Sequence, residues 1–301
     1  MRWLLLLLFS VQLLADIAQK IFPLTPAPID VVIPYDPKDQ ETLELCVEGI
    51  RKNGINIGRI IVLSKEQPMV QAEWFAEANF PFTKEAIALE IFRGDKQAAD
   101  VFLSMPKSRI GWIYQQFLKF YAPFVIPDIS PNVLILDSDV IFLNPADFMT
   151  AEGHPYFNIG AELVPSYFSV AERLLPGLHR VHSKFSGVTH HMLFQRPILE
   201  DLFQLISEHH KMEPWKAICR VIDPEEVSRS CLSEYEIYFN FALLRTPQAT
   251  IRRLKWCDLS MLSAIPRFKR QYYAYVASHT WLRELHLSLG AQYASPQLRY
   301  P

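Results

Sequence analysis

Two aspartates separated by one residue, Asp137 and Asp139, follow directly on the apolar run Val133–Leu136, and the apolar run Val140–Phe142 comes next. The first run predicts a buried strand, and ligand sites in open α/β sheets lie at the carboxyl ends of strands. Two carboxylates buried together are destabilising unless a cation lies between them. The pattern therefore predicts a site for Mn²⁺ or Mg²⁺, hard cations that also bind diphosphate oxygens. The alternative is a plain turn, capped by Asp137, with Asp139 in solvent.

Polar side chains precede this strand on a predicted helix, Ser108–Tyr121, which Pro123 and Pro127 terminate. Helical spacing places Gln116 and Lys119 on one side of it. Arg109 and Lys119 carry the charge needed to bind a diphosphate, and Gln116 shares their face. The alternative for all three residues is a solvated helix face.

A further carboxylate begins a helix at Ser233-Glu234-Tyr235-Glu236, with Ser233 as the N-cap. Glu234 and Glu236 lie about 200° apart on a helix of 3.6 residues per turn, so only one can face a site. We favour Glu234 as a general base that deprotonates a hydroxyl. The alternative is that both acids only complement the helix dipole.

Two adjacent histidines, His190 and His191, follow Gly187. Neighbouring side chains on a strand point to opposite faces, so the pair is not expected to chelate one metal. We expect one histidine to contact a bound ligand and the other to pack. The four cysteines form no CxxC pair, which argues against a zinc site and favours isolated buried thiols.

The elements around these residues predict an α/β fold. An apolar strand, a helix with an apolar stripe and a second apolar strand follow one another, as in proteins with a parallel sheet. Further expected elements are helices near residues 69–78, 84–92, 194–210 and 234–244, an edge element at 80–82 and a late strand within 272–277. The opening elements are expected at Ile29–Pro34, Glu41–Lys52 and Arg59–Ser64.

The length fits one large domain or two small ones. The chain has 301 residues, half of them hydrophobic, and a net charge of -2, so nothing in its charge indicates a nucleic-acid partner. Arg2 and the apolar run that ends near Ala15 predict a signal peptide or membrane anchor over residues 1–20. The protein is then exported or membrane-associated, and it faces the cytoplasm if the segment is an uncleaved anchor. A Pro-rich linker at 21–28, a single domain at 29–285 and a tail at 286–301 complete the expected organisation.

Four segments together resemble the GT-A glycosyltransferase superfamily and, more narrowly, an uncharacterised bacterial family of GT-A-like proteins. They are the stretches at 109–119, 137–139, 186–192 and 233–236, and the resemblance covers residues 29–285. It implies a Rossmann-type, mostly parallel central sheet flanked by helices, with a mixed C-terminal half on the acceptor side. It also implies a metal-dependent transfer of sugar from a nucleoside-diphosphate sugar to a hydroxyl acceptor, with a cell-envelope glycan or lipid-linked glycan as the expected partner.

The resemblance assigns roles to further residues. It implies that Asp137-Ser138-Asp139 holds the metal and the donor diphosphate, with Asp139 as the direct ligand and Asp137 nearer the ribose. GT-A enzymes often complete the metal site with a histidine late in the chain, and the resemblance implies that His279 has this role. The alternative is a surface or capping histidine. The strand end Pro34-Tyr35-Asp36 matches the place where the nucleotide base is received, and a plain turn is the alternative there.

Two other functions compete with this interpretation. A nucleotidyltransferase also uses a strand-end carboxylate pair with Mg²⁺, but residues 34–39 contain no glycine where that class carries a Gly-rich loop. The second competing function is that of a non-catalytic, GT-A-like binding protein of the envelope. The intact Asp137, Asp139 and Glu234 argue against it. The chain has no Gly-x-Ser-x-Gly elbow, Walker loop or dinucleotide fingerprint.

Overall fold

The structure, a computed structural model, describes residues 17–289, with side chains as far as His286. Most of the predicted leader and most of the predicted tail, residues 1–16 and 290–301, lie outside the described residues. Within the described part, no helix has both the length and the apolar character needed to cross a bilayer.

A five-stranded sheet forms the centre of the molecule, in the order β3-β2-β1-β4-β7. The first four strands run parallel, and β7 pairs with β4 in the antiparallel sense. A three-stranded sheet has the order β5-β10-β9, and β6 pairs with β8. The strands are β1 (Ile29–Pro34), β2 (Ile57–Ser64), β3 (Glu73–Ala76), β4 (Asn132–Leu136), β5 (Val140–Phe142), β6 (Tyr156–Phe157), β7 (His191–Gln195), β8 (Thr250–Ile251), β9 (Trp256–Asp258) and β10 (Tyr275–Ala277).

Helices cover both faces of this sheet. Alternate residues of β4 enter different hydrophobic clusters, Val133 and Ile135 in one, Leu134 and Leu136 in the other. Strands buried on both faces are expected to be mostly apolar, as β1 and β4 are apart from Asp30 and Asn132. The helices are α1 (Gln40–Asn53), α2 (Lys84–Ile91), α3 (Lys96–Ser104), α4 (Ile110–Val125), α5 (Pro165–Leu174), α6 (Arg196–His210), α7 (Pro214–Val221), α8 (Glu234–Arg245), α9 (Ile265–Arg270) and α10 (Thr280–Leu289).

The predicted α/β class, with a mostly parallel central sheet flanked by helices, is confirmed. β1 has the predicted bounds, and α8 begins at Glu234 as predicted, with Ser233 accepting the Glu236 amide at its N-cap. Asp137 follows β4 directly, as predicted.

Four local predictions are wrong. No helix covers 69–78, because this segment contains the short edge strand β3, and residues 80–82 form no strand. The helix predicted from Phe194 begins at Arg196, because Phe194 belongs to β7. Pro123 does not end its helix, since α4 continues to Val125 with the proline inside it.

The segment predicted as a Pro-rich linker lies against the domain. Phe22 is buried in the larger hydrophobic cluster, and its amide donates to Gln248 Oε1 at 2.7 Å. The carbonyl of Thr25 accepts from Asn132 Nδ2 at 2.9 Å. These contacts tie residues 22–25 to the amino end of β4 and to the segment after α8.

Candidate active site

Three strand ends meet at one edge of the fold. β4 delivers Asp137, β9 ends with Asp258, and β10 is followed by His279. The antiparallel pairing of β10 with β5 continues beyond the strands, because the Ser278 amide donates to the Asp139 carbonyl at 2.8 Å. This pairing places His279, 140 residues later in sequence, beside the Asp-Ser-Asp segment.

A cavity of about 750 Å³ lies at this edge, within the size range of ligand pockets. Most of the predicted site residues line it, although they come from α4, α8 and the segments that follow β4 and β10. The predicted residues found in its wall are Arg109, Gln116, Lys119, Asp137, Ser138, Asp139, His190, Glu234 and His279.

Lys119 is the buried cation of this cavity, with a side chain only 4% exposed. Its Nζ lies 2.7 Å from Asp137 Oδ1, 2.8 Å from Glu234 Oε1 and 4.4 Å from the Tyr235 ring centroid. Burial alone would lower the pKa of Lys119, but the two carboxylates outweigh it and raise that pKa. Lys119 is therefore a permanent positive charge between two acids.

The two acids respond differently to the same lysine. Burial would raise the pKa of Asp137, but Lys119 and His190 outweigh it and lower that pKa, so Asp137 is ionised. Burial raises the pKa of Glu234, and Lys119 only partly opposes the effect. Glu234 Oε2 is buried and has no hydrogen-bond partner within residues 17–286. Glu234 thus borders the cavity with one carboxylate oxygen that is buried and unpaired among the described residues.

His279 is held between two carboxylates. Its Nδ1 lies 2.7 Å from Asp139 Oδ2, and its Nε2 lies 3.6 Å from Asp258 Oδ1. Burial opposes a charged ring, but Asp139 and Asp258 overcome it and raise the pKa of His279 to about 10. This corner of the cavity therefore favours positive charge.

His190 approaches the same corner from the other side. Its ring centroid lies 4.7 Å from that of His279 and 5.4 Å from that of Trp256, and its Nδ1 lies 3.5 Å from Asp137 Oδ2. Its backbone has φ +64°, the left-handed conformation that few residues other than glycine adopt. Such backbone strain is common where a side chain must be held for function.

The residues present fit a divalent cation. His190, Asp258 and His279 each offer a ligand atom within 4.8 Å of the others. Asp139 Oδ1 is also buried, without a hydrogen-bond partner among the described residues. Asp258 is absent from the predicted site. It ends β9, where only Trp256 and Cys257 form the apolar run, so its sequence signal is much weaker than that of Asp137.

Asp39 is a second residue that sequence reasoning missed. It is buried in the cavity wall, where Oδ2 accepts from Ser138 Oγ at 2.9 Å and Oδ1 accepts from Thr280 Oγ1 at 2.8 Å. Burial and the charge of Asp139 raise the pKa of Asp39, against the effect of these hydrogen bonds. Asp39 thereby connects the turn after β1 to the Asp-Ser-Asp segment and to the start of α10.

Four predicted site residues do not line the cavity. Tyr35 is buried, and its hydroxyl donates to Gln40 Oε1 at 2.6 Å. Pro34 ends β1, and Asp36 caps the short 3₁₀ turn that follows. His191 packs against Phe142, and burial lowers its pKa to about 3. Of the histidine pair, only His190 faces the cavity.

The first turn of α8 separates its two acids. Glu236 Oε1 accepts from the Ser186 hydroxyl and from the Gly187 amide at 3.1 Å, and Oε2 accepts from Asn240 Nδ2 at 2.9 Å. Glu236 thus fixes the segment that leads to His190, whereas Glu234 lines the cavity.

The outer end of the cavity is aromatic and basic. The Trp112 and Tyr167 rings stack with centroids 6.4 Å apart, and the Arg109 guanidinium lies 4.5 Å from the Trp112 centroid. Gln116 Nε2 donates to the Trp112 carbonyl at 3.0 Å. Arg109 lies ten residues before Lys119 on α4, about 15 Å along the helix axis. The two cations therefore serve different parts of the cavity.

Two solved structures are similar in part to this chain. Mouse xyloside xylosyltransferase 1, in its apo form, is 11% identical with a TM-score of 0.35, and the match covers 84% of this chain and 97% of that one. The glycosyltransferase GlyE of Streptococcus pneumoniae TIGR4 is 10% identical with a TM-score of 0.39, covering 91% of this chain and 58% of GlyE. No curated protein sequence matches the chain.

A family model described as a family of unknown function (DUF6492) matches residues 54–263. The match includes β4, the Asp-Ser-Asp segment, His190 and the start of α8. The bacterial source that the sequence resemblance implies stays a prediction. Because the matched region is more than half of the chain, the protein belongs to this family, DUF6492.

Proposed function

We propose that this protein is a glycosyltransferase that moves a sugar from a nucleoside-diphosphate sugar to a hydroxyl group of a glycan or lipid-linked acceptor. The observation that carries the proposal is the single cavity in which Asp139, His279, Lys119 and Glu234 meet at the carboxyl edge of the sheet. It combines a corner that favours a cation, a buried lysine and a carboxylate with one oxygen that has no hydrogen-bond partner in the described part of the chain.

The cation corner supports metal dependence. A divalent ion, Mn²⁺ or Mg²⁺, at the cluster around Asp139 and His279 would neutralise negative charge that develops on a departing diphosphate. Lys119 lies on the far side of Asp137 from this corner, at 2.7 Å. We infer that Lys119 holds Asp137 ionised and in place, beside the bound donor.

Glu234 is the candidate general base. Its carboxylate lines the cavity, and Oε2 has no hydrogen-bond partner in the described part of the chain. Because burial raises its pKa, the carboxylate is a stronger base than one in water. The acceptor hydroxyl would donate its proton to this oxygen as the hydroxyl attacks the sugar.

The outer end of the cavity supports a carbohydrate acceptor. Trp112 and Tyr167 offer aromatic surface, and Arg109 and Gln115 add hydrogen-bond donors. Sites for polar ligands commonly combine apolar surface with a few placed polar groups. We place the acceptor there, with its reacting hydroxyl towards Glu234.

A thermal-shift screen of nucleoside-diphosphate sugars, with and without Mn²⁺, tests this proposal. A ligand at 100 times its Kd adds about 2.7 kcal/mol to the stability of the folded protein. We expect at least one donor to raise the Tm only when Mn²⁺ is present. A Tm that rises with nucleoside triphosphates and with no diphosphate sugar would contradict the proposal and favour a nucleotidyltransferase.

A further inference from the structure

The two carboxylates of the Asp-Ser-Asp segment contact different histidines. Asp137 Oδ2 lies 3.5 Å from His190 Nδ1, and Asp139 Oδ2 lies 2.7 Å from His279 Nδ1. Asp137 is further occupied, since Oδ1 lies 2.7 Å from Lys119 Nζ and accepts from the Tyr235 hydroxyl at 3.2 Å. A carboxylate with a lysine, a tyrosine and a histidine around it has little capacity left for a metal.

The histidines themselves converge on a third carboxylate. His190, Asp258 and His279 each offer a ligand atom within 4.8 Å of the other two. Two ligands bound to one cation at about 2.1 Å lie about 3–4 Å apart. The 3.6 Å between His279 Nε2 and Asp258 Oδ1 matches that separation.

Histidines that bind a metal commonly have a carboxylate next to the ring nitrogen that does not bind it. A metal-bound imidazole usually donates its other N–H to a carboxylate or carbonyl, which fixes the ring and increases its basicity. Asp139 lies beside Nδ1 of His279, and Asp137 lies beside Nδ1 of His190, so each carboxylate can hold one imidazole in this way. The arrangement therefore contains two carboxylate–histidine pairs that face Asp258.

We propose that His190, Asp258 and His279 are protein ligands of the cation, and that Asp137 and Asp139 position the two imidazoles, Asp139 through Oδ2. This ligand assignment rests on the proposed metal-dependent function. It moves most of the site from the Asp-Ser-Asp oxygens, of which only Asp139 Oδ1 is buried without a hydrogen-bond partner in the described chain, to two imidazole nitrogens and the Asp258 carboxylate.

The ligand set has a consequence for metal choice. Imidazole suits first-row transition metals, whereas Mg²⁺ prefers oxygen ligands and near-ideal octahedral geometry. The site should therefore bind Mn²⁺, and more tightly Co²⁺, in preference to Mg²⁺. A site of three carboxylate oxygens would discriminate far less.

Direct binding of Mn²⁺ to the full chain tests the assignment without any donor or acceptor. Titration calorimetry gives the affinity, and electron spin-echo modulation of bound Mn²⁺ reports directly coordinated histidine nitrogens. The variants are Asp258→Asn, which keeps the shape of the side chain, and His190→Asn, because asparagine also tolerates a positive φ. His182→Asn, at a histidine outside the cavity wall, is the matched control.

We expect each of the two ligand variants to weaken Mn²⁺ binding more than 100-fold and His190→Asn to remove one set of nitrogen couplings. Asp139→Asn should weaken binding by about 10–100-fold and keep both sets, as removal of a positioning partner does. Mg²⁺ that binds as tightly as Mn²⁺, or unchanged Mn²⁺ affinity in correctly folded Asp258→Asn, would overturn the assignment.

These outcomes separate the ligand assignment from the proposed function. If Mn²⁺ binds as described and no sugar is ever transferred, the metal site stands and the transferase proposal fails. If transfer requires Mn²⁺ and is unaffected in His190→Asn and Asp258→Asn, the transferase proposal stands and the ligand assignment fails. Circular dichroism of each variant excludes loss of folding as the cause.

Discussion

Lys119 Nζ lies 2.8 Å from Glu234 Oε1, so the helix that precedes the Asp-Ser-Asp strand and the helix that follows it much later are joined by a buried ion pair. Both side chains are almost inaccessible to water, at 4% and 1% exposure. The same lysine nitrogen contacts Asp137, and this three-residue cluster fixes the relation between the strand end and α8.

Replacement of the buried lysine should destabilise the fold strongly. Lys119→Met leaves the Asp137 and Glu234 carboxylates buried without a counter-charge, which costs about 3–5 kcal/mol. Urea unfolding measures the change, and Lys216→Met is the matched control, because Lys216 forms an exposed pair with Glu213 that contributes about 1 kcal/mol or less. The double variant Lys119→Met/Glu234→Gln should recover part of the loss. A Lys119→Met protein as stable as wild type would refute the cluster's role.

Glu234→Gln tests the general base. The amide keeps the size of the side chain but cannot accept the acceptor proton, so kcat should fall by about 10²–10⁴-fold with little change in the KM for the donor. Glu225→Gln, at an exposed glutamate outside the cavity wall, is the control and should keep full activity. Full kcat in Glu234→Gln would remove this residue from the chemistry.

His191 should make the fold sensitive to acid. Its pKa is about 3 in the folded protein because burial disfavours the charged ring, against about 6.5 in an unfolded chain. Between these two pH values His191 binds a proton in the unfolded chain but not in the folded protein. The folded state therefore has its full stability above pH 6.5 and loses stability as the pH falls towards 3.

His191→Asn separates this effect from packing. The asparagine amide can still donate to the Thr189 carbonyl, which His191 Nδ1 meets at 3.1 Å, but it does not titrate. The free energy of unfolding in urea should fall between pH 7 and pH 5, and the fall should be about 2 kcal/mol smaller in the variant than in the wild type. His182→Asn, at a partly exposed histidine, is the control. Equal declines in wild type and His191→Asn would show that His191 titrates normally.

Gly153 supports the docked segment before β1. It has φ +88°, and an added Cβ would lie 2.4 Å from the Thr25 carbonyl carbon. Gly153→Ala should therefore cost more than about 1 kcal/mol, because strain and a backbone clash act together. Gly111→Ala is the matched control, since its Cβ meets nothing within 4 Å in the first turn of α4, and it should be neutral or stabilising. Thermal unfolding that ranks the two variants in the opposite order would contradict the docking of residues 22–25.

Much of the fold could be predicted because its signals are local. β1 and β4 are apolar except for one polar residue near the start of each, and α8 begins after a serine cap with two acids in its first turn. β3 escaped prediction because it is a four-residue edge strand with half-exposed side chains. The predicted helix 194–210 includes the last two residues of β7, Phe194 and Gln195, because only Gln195, Arg196 and Pro197 separate the apolar residues of β7 from those of α6.

The residues of the candidate site likewise fall into those that local sequence predicts and those that it does not. Asp137 and Asp139 were identifiable, because they follow an apolar run in sequence. The proximity of Asp39 to Asp139 and of Asp258 to His279 could not be predicted, because it depends on how distant loop ends pack once the sheets have formed. The resemblance implies that Tyr35 lies at the nucleotide base, yet its hydroxyl donates to Gln40. The side-chain direction at a strand end depends on tertiary packing, which the linear pattern does not contain.

Turnover is the most direct test of the central claim that this cavity transfers sugar from a nucleoside-diphosphate donor. Wild-type protein and His279→Asn are incubated with Mn²⁺, a panel of nucleoside-diphosphate sugars and hydroxyl acceptors, and the released nucleoside diphosphate is measured. We predict release from at least one donor by the wild type, and a decrease of about 100-fold or more in His279→Asn. Absence of release from every donor, or equal release by the two proteins, would contradict the claim.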